Sequence, residues 1–402
     1  MTSILRKFIL ALLLSVFTLL GAIPVRADSV VEGDTTFAFD LYGQLKSAPG
    51  NLFFSPYSIS TALAMTYAGA WGDTEKQMRQ VLHFGDSQEQ LHASFAKLQH
   101  QLGEAGKQNG IELDLANALW AQKGYPFLPA FLKTARNDYQ ASVQQADFTT
   151  GAEAARGEIN RWVEQRTRER IQDILPAGSI DASTRLVLAN AIYFKGAWVK
   201  AYEPDETSTQ PFHLSRTHQT DVPLMHHFDE VRYTESAEFQ AVELPYKGEE
   251  LAMVILLPRE LEGCGTLESR LNPGLLSTSL KEMKKQKVEI FLPRFKLETS
   301  SDLVAPLTRM GMPDAFAAEA NFSGMDAKRS LYISAVFHKA WGEVNEEGTE
   351  AAAATAVVTM LSSAPRPVPP RPVFRADHPF IFLIRDTKSG SLLFLGRFAE
   401  PG

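Results

Sequence analysis

The chain has 402 residues, 45% hydrophobic and 22% charged, an ordinary globular balance with enough apolar material for a large core. Its formal charge of −7, from 40 basic and 47 acidic residues, argues against a nucleic-acid binder, which needs a basic surface to displace phosphate counterions. The single cysteine, Cys264, excludes an intrachain disulfide, and its setting Glu262-Gly263-Cys264-Gly265 reads as a turn with nothing nearby to activate a thiolate.

At the N-terminus Arg6 and Lys7 precede an apolar run from Ile9 to Leu20, followed by Val25 and Ala27 at small-residue positions. This is the pattern of a cleaved signal peptide over residues 1–27, with the mature chain starting at Asp28. An uncleaved anchor would want roughly 20 apolar residues, and this run is shorter. The expectation is a secreted protein, extracellular or periplasmic, with no membrane attachment after cleavage.

From residue 28 to 402 the chain reads as one globular domain. Apolar residues fall at helical spacing from Phe37 to Leu45 and again from Ile59 to Tyr67 after Ser55-Pro56, predicting two buried helices. Ala152 to Arg170 carries Ile159, Trp162 and Val163 on one side and charges on the other, a surface helix over something flat and apolar. Thr184 to Phe194 is nearly continuously apolar, a strand covered on both faces. Val242 to Tyr246 and Leu251 to Leu257, joined by Lys247-Gly248-Glu249-Glu250, form a hairpin, and Val288–Phe295 and Leu331–Val344 add strands. No internal repeat or Gly/Ser-rich boundary divides the chain.

The usual catalytic motifs are absent: no Gly-x-Ser-x-Gly elbow, no His-Glu-x-x-His zinc helix, no phosphate loop ending in Gly-Lys-Ser/Thr. A serine-protease triad spread along the chain is not excluded by this. The His226-His227 pair would place adjacent side chains on opposite faces of a strand, unable to share one ion, and reads better as two solvated loop histidines. No metal and no cofactor is expected. The basic run Arg166-Thr167-Arg168-Glu169-Arg170 could hold a sulfated polymer, but the interleaved Glu169 and nearby Asp173 favour a solvated face.

The most informative stretch is Glu346-Glu347-Gly348-Thr349-Glu350-Ala351-Ala352-Ala353-Ala354-Thr355-Ala356-Val357-Val358. Propensity alone calls Ala351–Ala356 a helix with Thr349 as cap, and on local physics that reading is about as good as any other. Against it, the stretch is too short to stand alone, lacks an apolar stripe and runs into β-branched Val357-Val358-Thr359. Read with period two, Thr349, Ala351, Ala353, Thr355, Val357 and Thr359 make a small, uncharged face that a sheet could bury, with Glu350 outward. Prolines 365, 367, 369, 370 and 372 then keep the chain extended. The segment reads as a loop that can become a strand.

Glu346 to Thr355 resembles the hinge of the inhibitory serpins, and other stretches agree in order. These are Asn51–Ile59, Leu186–Trp198, Leu244-Pro245-Tyr246, Phe374–Phe380 and Phe394–Phe398. The resemblance covers essentially all of the mature chain and suggests a secreted, bacterial member. It implies an α+β serpin fold, three β-sheets with eight or nine α-helices and an exposed reactive-centre loop at about 346–373. It also implies a mechanism without a catalytic site. A target protease cleaves the loop and is held as a covalent acyl-enzyme; the loop then enters the central sheet as a new strand, carrying the protease away. Thr349 to Ser362 is fourteen residues, about 46 Å when extended, enough to cross the body. Bulk or charge on the inserting face would slow the step.

The same resemblance assigns roles. Ser55, Ser58, Asn190 and His338 match a polar cluster beneath the central sheet where its strands part. Trp198, Thr207 and Phe212 match the site of loop entry, where Glu346 and Arg294 match positions that can pair. The reactive bond falls at Ser362-Ser363, preceded by Met360 and Leu361, which suits an elastase-like or subtilisin-like target. One register earlier, at Leu361-Ser362, it suits a chymotrypsin-like one. Arg366 is followed by Pro367, against a trypsin-like target. The partner is a serine protease, with a papain-like cysteine protease left open, and the inhibitor is expected to be a monomer.

Overall fold

The computed structural model describes residues 27–107, 110–348 and 371–401. A helix over Ala27–Leu45 leads through strand β1 (Leu52–Phe54) into a wholly buried helix over Pro56–Tyr67. That helix starts where the sequence dictates: the Ser55 hydroxyl accepts the Ser58 N–H, and Pro56 fills the first turn, where no N–H is needed. Helices Gly72–Val81 and Gln88–Ala105 precede β2 (Ile111–Gln122), helix Pro129–Tyr139, β3 (Ser142–Ala146), helix Phe148–Arg166 and β4 (Leu186–Gly196). Then come β5 (Ser208–His213), β6 (Gln219–Glu235), β7 (Phe239–Pro245) and β8 (Leu251–Pro258), helices Cys264–Arg270 and Pro273–Glu282, and β9 (Lys284–Pro293). After β10 (Phe295–Asp302) and the short helices Val304–Met310 and Ser323–Asp326 follow β11 (Ala335–Val344), β12 (Val373–Arg375), β13 (Phe380–Asp386) and β14 (Leu392–Phe398). Among the described residues no helix is long and apolar enough to cross a membrane.

Five strands form one sheet in the order β10-β11-β4-β2-β3. Both of its faces are covered. Leu186, Leu188, Ile192 and Val336 point into the main core; Val187, Ala189, Ala191, Phe337 and Trp341 point the other way, under helix Phe148–Arg166 with Ile159 and Val163. This is the two-sided burial that the apolar run of β4 calls for. The remaining strands run β1-β14-β13-β8-β7-β6-β9-β12, with β5 also on β6. The serpin fold implied by the resemblance is present, its three sheets appearing here as two hydrogen-bonded ones. Because β6 is 17 residues long and unbroken, its hydrogen-bonded path continues into β7 as one nine-stranded sheet.

Three local readings shift. The surface helix begins at Phe148, where Asp147 accepts the Thr150 N–H, and ends at Arg166, because Arg168 and Glu169 take left-handed backbone conformations (φ 51° and 62°). Cys264 opens a helix rather than a turn, and burial pushes its thiol up to about 12. His226 and His227 lie in β6, not in a loop.

Candidate functional site at the sheet seam and the hinge

At the centre of the five-stranded sheet β11 and β4 run parallel, in register from Ala335 opposite Val187 to Trp341 opposite Tyr193. No strand lies between them. Past Trp341 and Tyr193 each strand continues, to Val344 and Gly196, without cross-pairing, so the seam opens toward one end.

Midway along the seam, register sets His338 opposite Asn190 and Asn190 opposite Asn117 on β2. The helix over Pro56–Tyr67 completes the cluster from below. The Ser55 N–H donates to His338 Nε2 at 3.0 Å, so the ring proton sits on Nδ1 and is donated to Asn190 Oδ1. Asn190 Nδ2 in turn donates to Ser58 Oγ at 2.6 Å, to the Ser58 carbonyl at 3.0 Å and to Asn117 Oδ1. Ser55, Ser58 and Asn190 are fully buried and His338 nearly so, and burial pushes the imidazole down to about 3. The cluster is therefore neutral, and every polar atom in this chain of bonds has a partner inside it.

At the open end the chain leaves β11 and reverses. Asn345 N donates to Gly348 O at 2.8 Å and Gly348 N to Asn345 O at 3.1 Å, a two-residue turn over Glu346-Glu347. Gly348 also bridges Ala197, just past β4, so this one residue already lies between the two strand lines. Its φ of +117° favours glycine, and a Cβ there would sit 2.2 Å from the Gly196 carbonyl oxygen. Glu346 is 6% exposed and gripped from three sides. Its carbonyl accepts the Tyr202 N–H at 2.7 Å, its carboxylate accepts Thr207 Oγ1 at 2.8 Å, and Arg294 pairs with the same oxygen. Burial alone would raise this carboxyl, but the Arg294 and Thr207 bonds outweigh it and hold it below its ordinary value. Trp198 lies flat on Tyr246 (4.5 Å between centroids, 9°) and donates through its indole to the Asn345 carbonyl at 3.1 Å, while its backbone N–H donates to Glu347 at 2.9 Å.

Residues 32–401 match the family model described as serpin (serine protease inhibitor). The chain belongs to the serpin family. It is 40% identical over 394 residues to human serpin B3 and 42% identical over 384 residues to the leukocyte elastase inhibitor of Sus scrofa, each match covering 93% of this chain and 100% of the relative. The crystal structure of uncleaved ovalbumin superposes with a TM-score of 0.84 at 34% identity, covering 93% of this chain and 100% of the other. The family is one of protease inhibitors, so this serpin is not an enzyme. The expected secretion is corrected by the same relatives: matched over their whole length, they take up only 93% of this chain, and the family match begins at residue 32. The secreted location finds no support in them and is withdrawn. These relatives are human and porcine, and a bacterial source finds no support in them.

Of the residues read as the serpin site, the structure gathers Ser55, Ser58, Asn190 and His338 at the seam, and Trp198, Thr207, Arg294 and Glu346 at the hinge base. Phe212 is not among the latter: fully buried in β5, it packs edge-on against Phe398, 5.3 Å away. The hinge from Thr349 through Glu350, Ala351, Ala352, Ala353, Ala354 to Thr355, and the reactive positions Met360, Leu361, Ser362 and Ser363, lie outside the described residues. In the basic run, Arg168 is paired with Glu112 and with Asp114 at 2.7 Å, while Arg166 and Arg170 lie over the rings of Trp162 and Trp341. Two residues escaped the sequence reading. Asn117 is hidden in the apolar strand Leu115–Leu119, and Tyr202 acts through its backbone N–H, which no side-chain pattern reveals.

Proposed function

We propose that this serpin is an inhibitor of the trapping kind. A serine endopeptidase of elastase, subtilisin or chymotrypsin type cleaves at Ser362-Ser363, or at Leu361-Ser362, and stays attached as an acyl-enzyme. The loop then enters the seam between β4 and β11. One observation carries the reading: the parallel seam opens at the end where Gly348 lies between the strand lines, and the sequence beyond it reads, with period two, as small and uncharged on one side. Such a face can be buried at little steric or desolvation cost, and the new strand gains a ladder of hydrogen bonds on both edges. Speed decides the outcome, because insertion competes with deacylation. One copy of the chain suffices for this cycle.

The test is a denaturing gel of the protein mixed separately with elastase, chymotrypsin, subtilisin and papain. A band at the summed mass with a serine protease is expected, and mass spectrometry of the released C-terminal peptide assigns the bond. Cleavage by all of them without any such band would refute trapping; a band with papain alone would move the target to cysteine proteases. Thr349→Arg should convert the inhibitor into a substrate, cleaved at the same bond with no covalent band, and an unchanged complex yield would refute the insertion role of that side chain.

A further inference from the structure

The two groups that hold Glu346 on its inner side, the Tyr202 N–H and the Thr207 hydroxyl, sit on one short segment between β4 and β5. That segment is fastened to β6 by Lys200, which reaches the Phe228 carbonyl and Asp229 at 3.6 Å, and by two adjacent histidines. Their side chains alternate across the strand. His227, 7% exposed, stacks on the Tyr202 ring with centroids 3.8 Å apart and an angle of 2°. Burial pushes its imidazole down to about 4, with Asp229 and Lys200 the charged groups beside it. His226 faces the other way, its ring against Phe291 at 4.5 Å. Its Nδ1 lies 3.3 Å from Glu206 Oε2, next in sequence to Thr207, and its Nε2 lies 3.2 Å from Glu289 Oε1 on β9.

A carboxylate only accepts hydrogen bonds, and a neutral imidazole carries one N–H. Both contacts of His226 are therefore satisfied together only by the imidazolium. The opposed directions of the two nitrogens also keep Glu206 and Glu289 from sharing one metal ion with this ring. Glu206 and Glu289 are the charged groups facing His226 from the segment and from β9, and Arg375 on β12 lies over the same Phe291 ring at 4.5 Å.

We infer that His226 is a proton-dependent positioning residue for the hinge. Protonated, it ties Glu206 to β9 and so holds Tyr202 and Thr207 against Glu346; deprotonated, it keeps one tie and the grip on Glu346 loosens. The form that makes both contacts is the one carrying the second ring proton, so the grip is tighter on the acid side. The link from grip to inhibition rests on the trapping mechanism proposed above; the grip itself does not.

Hydrogen exchange read by mass spectrometry on peptides covering residues 199–207 and 343–348, corrected for intrinsic rates, tests this at pH 5.5 and 8.0. The wild-type protein should protect the Tyr202 amide about fivefold more at the lower pH. His226→Gln should show the weaker protection at both pH values, and His226→Lys, a permanent cation, the stronger protection at both. An identical pH response in wild type and His226→Gln overturns the inference, as does loss of protection at both pH values in His226→Lys. In parallel, the ratio of covalent complex yield between wild type and His226→Gln should change with pH, which cancels the protease's own pH dependence. If exchange responds as expected but no variant forms a complex, the brace stands and the trapping mechanism falls.

Discussion

The middle of the seam and its open end are closed by opposite kinds of chemistry. At the middle, His338, Asn190, Ser55, Ser58 and Asn117 are buried and neutral and bond almost entirely to one another. At the end, Glu346 is held by backbone bonds and by an ion pair whose Arg294 side is 47% exposed. A buried network is costly to break because each polar atom left behind loses both water and partner. An ion pair with one half-exposed partner, here Arg294, is partly screened and easier to release than a fully buried network. The seam is thus built to loosen from the hinge inward, and the stronger tie lies where an entering strand would arrive later.

That contrast can be broken most forcefully at His338. His338→Ala would strand the Ser55 N–H and the Asn190 amide and leave a cavity, at about 3–4 kcal/mol, read as a lower urea midpoint with an unchanged slope. A loss near that expected for Arg294→Ala would remove the distinction. Acid sharpens the same point. The folded His338 sits at about 3, below the unfolded imidazole near 6.5, so its stabilising share is complete above about pH 6.5 and lost as pH falls toward 3. The slope from this one group is about 1.4 kcal/mol per pH unit in that window, and His338→Gln should flatten the stability profile by that amount. The smallest effect belongs to the open end. Arg294→Ala should cost about 1 kcal/mol, less at high salt, and should raise hydrogen exchange at 343–348 while leaving the strand residues around Asn190 protected.

Much of this architecture was legible residue by residue. Ser55-Pro56 announces a helix start, the run Leu186–Phe194 a doubly covered strand, and Lys247–Glu250 a hairpin turn, because each is governed by local chemistry. What stayed hidden depends on distant register. Asn117 becomes a seam residue only because β2 pairs with β4 at Asn190. The continuity of β6 across two sheet regions is set by β5, β7 and β9, and Pro223 and the charged Asp229-Glu230 blur its alternation enough to make His226-His227 look like loop. Phe212 matches the loop-entry site by resemblance alone, and in β5 its ring packs on Phe398.

The tight reversal at Glu346-Glu347 also fixes a direction of travel. β4 and β11 point the same way, and the chain turns back on itself immediately after β11. Anything that continues from Gly348 into the seam must run against both neighbours at once. Slanted parallel bonds from Ala335 to Trp341 would give way to two antiparallel ladders, the pairing with the straighter and slightly stronger bonds. The direction of that one turn means that a strand entering the seam would exchange parallel bonds for antiparallel ones, with Gly348 already bridged to Ala197.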